Sequence, residues 1–229
     1  MIYRTNRTEL ESTRIRWQGT IQSVQCRAWV WRYKLDNRTH HHLGFNLWVK
    51  GETDDRSGKF CVAISDKQQQ KIEFRIGDEV KGTAWPCINA KHDIADYYRA
   101  GGFKVLNRAE ERISPNRPPF TGPVPALDIY SDRGARMLDS KRWSKKCFTC
   151  IWANKSAVEI EYDFGKVKRY RRETFCYGPK SCPQYEMGEP RPVHYIGMFP
   201  CMDEGWMDDL CTSGRGEDDW EPWGWGKLS

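Results

Sequence analysis

Hydrophobic and polar residues alternate in short stretches over the first half of the chain. Residues 14–24 place Ile15, Trp17 and Ile21 on one face, which is typical of a β-strand with one buried side. The same alternation continues through residues 27–35. Further short strands are predicted at residues 43–50 and 60–64, after a turn at 76–82, and at 103–106. This pattern predicts a small β-domain.

One short segment within this pattern is typical of a known fold. Residues 76–82 read Ile-Gly-Asp-Glu-Val-Lys-Gly, a tight turn that leads into a strand. A polar connector with one helical turn is predicted at 66–71, and a short helix at 93–99. Residues 14–108 thus resemble an OB-fold, which implies a partly open Greek-key barrel with a ligand groove over strands two and three. The alternative is another small β-barrel or sandwich.

A proline-rich segment follows the predicted barrel. Residues 114–125 contain five prolines, which disrupt strand ladders and favour extended linkers. We therefore predict four regions along the chain. They are an OB-like barrel at 1–112, a linker at 113–126, a zinc-ribbon-like module at 127–200 and an acidic, Trp-rich tail at 201–229.

Four cysteines in the third region have the pattern of a metal site. Cys147 and Cys150 form a C-x-x-C turn, and Cys176 and Cys182 form a second, wider turn with five intervening residues. Tetrahedral zinc takes four thiolate ligands in this way. The sequence predicts one structural zinc ion bound by Cys147, Cys150, Cys176 and Cys182.

The segment between the two cysteine turns explains how they would meet. Residues 157–164 alternate as a strand, Gly165 is a turn residue and residues 166–175 read as the return strand. The ends of a hairpin lie together, so Cys150 and Cys176 should be neighbours. His194 or Cys201 is a possible replacement for one ligand. The alternative to zinc is a set of reduced buried thiols or a disulfide.

Charge and composition narrow the functional classes. The net charge is +6 and the pI about 8.8, with the basic residues concentrated in 141–180 and acidic residues in 202–221. Residues 1–16 lack the apolar core of a signal peptide, and no apolar run is long enough to span a membrane. We predict a cytoplasmic protein without membrane contact, where thiols bind metal more readily than they form disulfides.

Basic and aromatic residues supply candidate nucleic-acid contacts, because single-strand binders combine cations with stacking faces. The alternatives are packing of the aromatic residues in the core and a merely solvated basic face. The candidates are Arg32, Lys34, Trp48 and Lys50 in the barrel and Lys145, Lys146, Lys166, Lys168, Arg169, Tyr170, Arg171 and Arg172 in the module.

The sequence contains no convincing catalytic arrangement. A four-Cys zinc site has no open coordination position, and the chain has neither a Gly-rich phosphate loop nor a nucleophile elbow. From the barrel through residues 173–182, which read Glu-Thr-Phe-Cys-Tyr-Gly-Pro-Lys-Ser-Cys, to the acidic end, the whole chain resembles a prokaryotic protein family with no assigned activity, which implies architecture and not function. An enzyme is therefore the less favoured interpretation.

The sequence thus predicts a mainly β protein, with an OB-like five-stranded barrel and a small zinc-ribbon β-hairpin module. The leading hypothesis is a non-catalytic protein that binds RNA or single-stranded DNA. The alternative is a scaffold subunit of a larger assembly, with a protein partner docking on the acidic tail. A third hypothesis is a ligand-binding module. It rests on a resemblance to zinc-ribbon and OB proteins of acyl-CoA metabolism, although those carry the ribbon before the barrel.

Overall fold

The computed structural model describes residues 13–32, 39–162, 167–188, 209 and 211–213, and this part of the chain is mainly β. The strands are β1 (Ile15–Arg32), β2 (Thr39–Thr53), β3 (Ser57–Ile64), β4 (Glu79–Pro86), β5 (Tyr97–Asn107), β6 (Arg136–Met137), β7 (Ala153–Tyr162) and β8 (Val167–Cys176). The helices are α1 (Asp66–Ile72), α2 (Leu127–Arg133) and α3 (Ser140–Arg142), and α3 continues into a π-helical turn, Trp143–Cys147.

The first five strands form a closed ring. Strand β1 pairs antiparallel with both β2 and β4, β2 pairs with β3, and β4 pairs with β5. Strand β3 meets β5 in parallel, with Val62 opposite Tyr97, and this contact closes the barrel. The prediction of a mainly β chain with a five-stranded barrel is therefore confirmed.

Two local predictions need correction. The strand expected at 14–24 and the described part of the strand expected at 27–35 form one long strand, β1. The extra residue Gln22 changes the side that the following residues of β1 face. The helix expected at 93–99 is absent, because Tyr97 already pairs in the barrel and begins β5. The alternative of a fully buried aromatic face is wrong for Trp29, which is 41% exposed, since Val30 is the inward-facing residue.

Helix α1 is fixed by its own sequence. The Oγ of Ser65 accepts a bond from the backbone N–H of Gln68, and the Gln68 side chain accepts one from the N–H of Ser65. Glu73 ends the helix in the left-handed conformation. The element places a short helix between β3 and β4.

Two facing glycines let β1 and β2 cross closely. Gly19 lies opposite Gly51, and a Cβ atom on Gly51 would stand 2.1 Å from the carbonyl oxygen of Gln18. A side chain at either position would push the strands apart. The backbones of β1 and β2 therefore lie in close contact at this point.

The second half of the chain extends the barrel sheet. Strand β7 lies parallel beside the end of β1, with Val30 opposite Val158, and pairs along its length with β8. Within the predicted linker, Phe120 is buried and its carbonyl oxygen accepts a hydrogen bond from the N–H of Ile151. The division into regions at 113–126 stays a prediction.

No helix in the described part of the chain is both long and apolar enough to cross a membrane.

Candidate metal centre and the adjoining cleft

The four predicted ligands lie at one end of the β7–β8 hairpin. Cys147 ends the π-helical turn, Cys150 precedes β7 by three residues, and Cys176 is the last residue of β8. Ala153 lies opposite Cys176 in the hairpin register, which brings the two cysteine turns alongside each other. Every cysteine that the structure describes is a free thiol.

Backbone amides point at the sulfur atoms. The N–H of Gly178 donates to the Sγ of Cys176 at 3.4 Å. The N–H of the second residue after Cys150 and after Cys182 makes the same kind of bond, from Trp152 and Gln184. Such donors stabilise the thiolate, which is the form of cysteine that binds metal.

The environment of these thiols opposes ionisation in the absence of a cation. Burial, followed by the charges of Cys176 and Cys182, raises the pKa of Cys147 to about 12. Burial likewise raises the pKa of Cys150 and of Cys182, and the charge of Cys176 adds to each shift. Cys176 is thus the common neighbour of the other three sulfurs. A bound dication reverses the effect of such neighbouring thiolates.

The hairpin register brings the cysteine turns alongside each other without forming a coordination cluster among the described residues. Among the described residues, no group of three or more His, Cys, Asp or Glu side chains stands in a metal-binding arrangement. The cysteine turns, the amide donors and the shared neighbour Cys176 nevertheless suit a zinc ion chemically.

An arginine braces the wide second turn. The guanidinium of Arg136 donates to the carbonyl oxygens of Pro179 at 2.9 Å and Lys180 at 3.2 Å, and lies 3.7 Å from the ring centre of Tyr185. The hydroxyl of Tyr185 in turn donates to the carbonyl oxygen of Met137 at 2.7 Å. These bonds hold the conformation of the turn between Cys176 and Cys182. This turn has five residues between its cysteines, where a zinc-binding turn usually has two.

A cleft of about 340 Å³ lies where the hairpin meets the barrel, and we call it the hairpin cleft. Strands β1 and β2 and the β4–β5 loop supply one wall, and β7 and β8 supply the other. The lining residues are Arg27, Ala28, Trp29, Leu43, Asn46, His92, Asp93, Ile94, Lys155, Ser156, Ala157, Glu159, Lys168 and Tyr170.

Ion pairs hold both walls of the hairpin cleft in place. Arg27 donates from Nε to a carboxylate oxygen of Asp93 at 3.1 Å. Glu159, which is 9% exposed, accepts from the Nζ of Lys168 at 2.6 Å and from the hydroxyl of Tyr170 at 2.8 Å. The charged side chains are therefore positioned before any ligand enters.

Flat rings face the same space. The ring of Tyr170 lies 4.3 Å from that of His92, centre to centre, at an angle of 31°. This contact joins the hairpin to the β4–β5 loop. Trp29, 41% exposed, lines the opposite wall together with Leu43, 39% exposed.

Two polar side chains of the hairpin cleft stand out. The Oδ1 of Asn46 is buried and has no hydrogen-bond partner in the described structure. Lys155 is partly buried, and its Nζ lies 5.0 Å from the ring centre of Trp143. Burial, followed by the charge of Arg172, lowers the pKa of Lys155. Its ammonium pairs with no carboxylate in the described part of the chain.

The predicted contact residues divide into several sets. Lys168 and Tyr170 lie in the hairpin cleft. Trp48 is partly buried, with its ring 5.6 Å from that of Trp143 and 5.7 Å from that of Phe148, so the outer face of β2 is covered there.

The other predicted cations that the structure describes do not line the hairpin cleft. Arg171 bonds Glu173 and is partly buried. Lys34, Lys166 and the side chain of Arg32 lie outside the described residues, as do His194, Cys201 and almost all of the predicted acidic tail. The exposed predicted cations are Lys50, Lys145, Lys146, Arg169 and Arg172.

Of the residues that line the hairpin cleft, only Lys168 and Tyr170 belong to the predicted contact set; Asn46, Lys155, Glu159 and His92 are among those that the sequence did not predict. Alternation along β7 places Lys155, Ala157 and Glu159 on one face, and this was the available signal. No comparable signal marked His92 or Asn46, which become neighbours of the hairpin only through the tertiary fold.

No family model matches this sequence, and comparisons with curated proteins and with solved structures return no match. The function must therefore be inferred from the site itself.

Proposed function

We propose that this protein is a non-catalytic binder of single-stranded nucleic acid, RNA or DNA, with one zinc ion as a structural element. The observation that carries the proposal is the hairpin cleft. It gathers cations and exposed rings from two parts of the chain into one concave surface, and single-strand binders use this combination of charge and stacking faces.

The ion pairs of the hairpin cleft fit this function. Arg27 and Lys168 are each bound to a carboxylate, so their positions are fixed and their charge is partly neutralised. Exposed Lys145 and Lys146 lie just before the first cysteine turn and carry unopposed charge in the described part of the chain. Phosphate contacts of this kind supply most of the sequence-independent affinity.

The zinc proposal rests on the cysteine turns. The amide-to-sulfur pattern repeats at Cys150, Cys176 and Cys182, and the hairpin register brings these turns together. A zinc ion there would stabilise the end of the hairpin that packs on the barrel. The four cysteines would leave no open position for catalysis.

Binding of fluorescently labelled ten-residue RNA and DNA strands tests the function. We expect a Kd in the micromolar range or below, with a log–log salt slope of about −0.7 for each phosphate contact. The double variant Lys155→Gln and Lys168→Gln should bind more weakly, with a shallower slope. The double variant Lys67→Gln and Lys71→Gln, on α1, removes the same charge outside the hairpin cleft and should bind like the wild type.

Absence of binding to every RNA and DNA strand would overturn the proposal. Co-purification of a stoichiometric protein partner in that case would favour a scaffold subunit.

A further inference from the structure

We propose that the hairpin cleft takes one unstacked nucleobase, which stacks on Trp29 and Tyr170, hydrogen-bonds Asn46 and places its neighbouring phosphate near Lys155. This inference rests on the proposed nucleic-acid function and names the ligand group of that site. A base of a strand and a base of a free nucleotide share this chemistry.

The size of the hairpin cleft suits a single nucleotide. Its volume of about 340 Å³ is at the lower end of the range for small-molecule sites, roughly 300–1,000 Å³. A single strand could therefore place one base inside while the rest of the strand follows the exposed surface. Proteins that read single strands commonly splay out individual bases in this way.

The walls offer faces on which a flat ring can stack. Trp29 is exposed on the barrel side, while Tyr170 is held on the hairpin side by its bond to Glu159 and its contact with His92. Tyr170 therefore has little freedom to turn away. A rigid ring loses little entropy when a ligand stacks on it.

The side chain of Asn46 offers a hydrogen-bond acceptor to the polar edge of a ligand. It is 2% exposed, lies in the hairpin cleft and carries a buried Oδ1 without a partner in the described structure. A buried acceptor without a hydrogen-bond partner destabilises a fold. A nucleobase edge has the N–H donors that this oxygen needs, whereas a purely apolar ligand would leave it unpaired.

Lys155 adds a requirement for negative charge. Its ammonium is partly buried without a carboxylate partner in the described residues, and the neighbouring charge of Arg172 further disfavours its ionised form. An anion close to Lys155 would stabilise its charged ammonium. A phosphate attached to the bound base supplies such an anion.

A comparison of two strands of equal charge tests the inference. Ten-residue oligo(dT) and a ten-residue abasic deoxyribose-phosphate chain carry the same phosphates and differ only in their bases. We expect wild-type protein to bind oligo(dT) more tightly by roughly 5- to 100-fold, the range for one stacked base. The ratio should fall toward 1 in Trp29→Ala, whose exposed side chain can be removed without opening the core.

Three further measurements complete the test. Ala157→Phe should fill the hairpin cleft and also lower the ratio, whereas Ile88→Ala, an exposed apolar residue outside the cleft lining, should retain it. Titration with AMP, GMP, CMP and UMP shows whether the base site also accepts free nucleotides. Circular dichroism checks that each variant is folded.

The outcomes separate the two proposals. Binding of both chains by the wild type with a ratio near 1 would overturn the base site and leave nucleic-acid binding intact. Binding of mononucleotides that depends on Trp29, without binding of strands, would support the base site and overturn the strand-binding function. Absence of binding to strands and mononucleotides alike would overturn both.

Discussion

Ser23 donates a hydrogen bond from its Oγ to the carbonyl oxygen of Phe148, at 2.6 Å. Phe148 stands between Cys147 and Cys150, so this bond attaches the first cysteine turn directly to the barrel wall. Gln25 donates to the same oxygen from Nε2 at 2.7 Å. Both barrel residues are fully or almost fully buried, and the first cysteine turn and the barrel are therefore joined at one shared carbonyl oxygen.

Removal of both donors should lower the free energy of unfolding by more than the sum of the two single changes. Ser23→Ala or Gln25→Leu alone leaves the Phe148 oxygen with one partner and should lower the free energy of unfolding by about 1 kcal/mol. The double variant leaves that oxygen unpaired, which adds about 1–3 kcal/mol. Urea unfolding of the four proteins forms a double-mutant cycle that measures the coupling.

The exposed Ser144 supplies a matched control. Its Oγ donates to the carbonyl oxygen of Lys141 at 3.0 Å, away from the barrel. Ser144→Ala should have little effect. Strict additivity of the Ser23 and Gln25 changes would show that the shared carbonyl does not couple the two parts.

Metal content provides the second prediction. Purified protein should contain about one equivalent of zinc by elemental analysis, because four thiolates satisfy one tetrahedral ion. Cys176→Ser should lose that zinc and lower the thermal midpoint, since metal-binding energy is folding energy in such sites. Cys87→Ser changes a cysteine outside the four-Cys set and should retain the metal. Wild-type protein with less than half an equivalent would contradict the assignment.

Periodicity predicted the barrel and the hairpin because each is encoded locally. Alternating residues defined β7 and β8, and the Gly-Asp turn preceded β4 as expected. The bulge at Gln22 in β1 was harder to predict, since the extra residue changes which face is buried without a local sequence signal. As a result, Val30 is buried and Trp29 is exposed.

Only part of the candidate site could be predicted from the sequence. Cysteine spacing predicted that the two cysteine turns lie together at the end of the hairpin, which the register confirms, whereas the zinc ion itself stays a prediction. The hairpin cleft, by contrast, depends on the parallel pairing of Val30 with Val158, a contact between residues 128 positions apart. Local patterns carry no information on such a pairing. The sequence therefore could not show that Asn46 and Lys155 line the same cleft.

His42 should make stability depend on pH. Burial, followed by the charge of His41, lowers the pKa of His42 from 6.5 to about 4. Its ring contacts the hydroxyls of Ser131 and Tyr177 and the ring of Tyr130. Because the folded state favours the neutral ring, this contribution is complete above pH 6.5 and is lost as the pH falls toward 4.

The expected size is about 2 kcal/mol, after an allowance for partial solvent access to the ring. Urea unfolding at several pH values between 4 and 7 measures it. His42→Gln should flatten the dependence, whereas His41→Gln, at an exposed position, should largely preserve it. Equal pH dependence in wild type and His42→Gln would show that another group is responsible.

Glu159 should restrain the affinity of the hairpin cleft for anions. It accepts hydrogen bonds from Lys168 and Tyr170 and neutralises one cation in the wall. Glu159→Gln keeps the side-chain shape but leaves Lys168 without that negative charge. Stability should fall by about 1–3 kcal/mol, because the variant weakens a charged hydrogen bond at a buried position.

Nucleic-acid binding should change in the opposite direction. With the negative charge of Glu159 removed from the cleft wall, Glu159→Gln should bind single-stranded RNA several-fold more tightly, and its log–log salt slope should steepen by up to about 0.7 if one more phosphate is contacted. Glu186→Gln is the matched control, since Glu186 is exposed, pairs with Arg142 and does not line the hairpin cleft. Fluorescence anisotropy at several salt concentrations measures both variants. Equal gains in the two variants would indicate a general effect of net charge, and a weaker Glu159→Gln would indicate that the carboxylate itself contacts the ligand or holds Tyr170 for stacking.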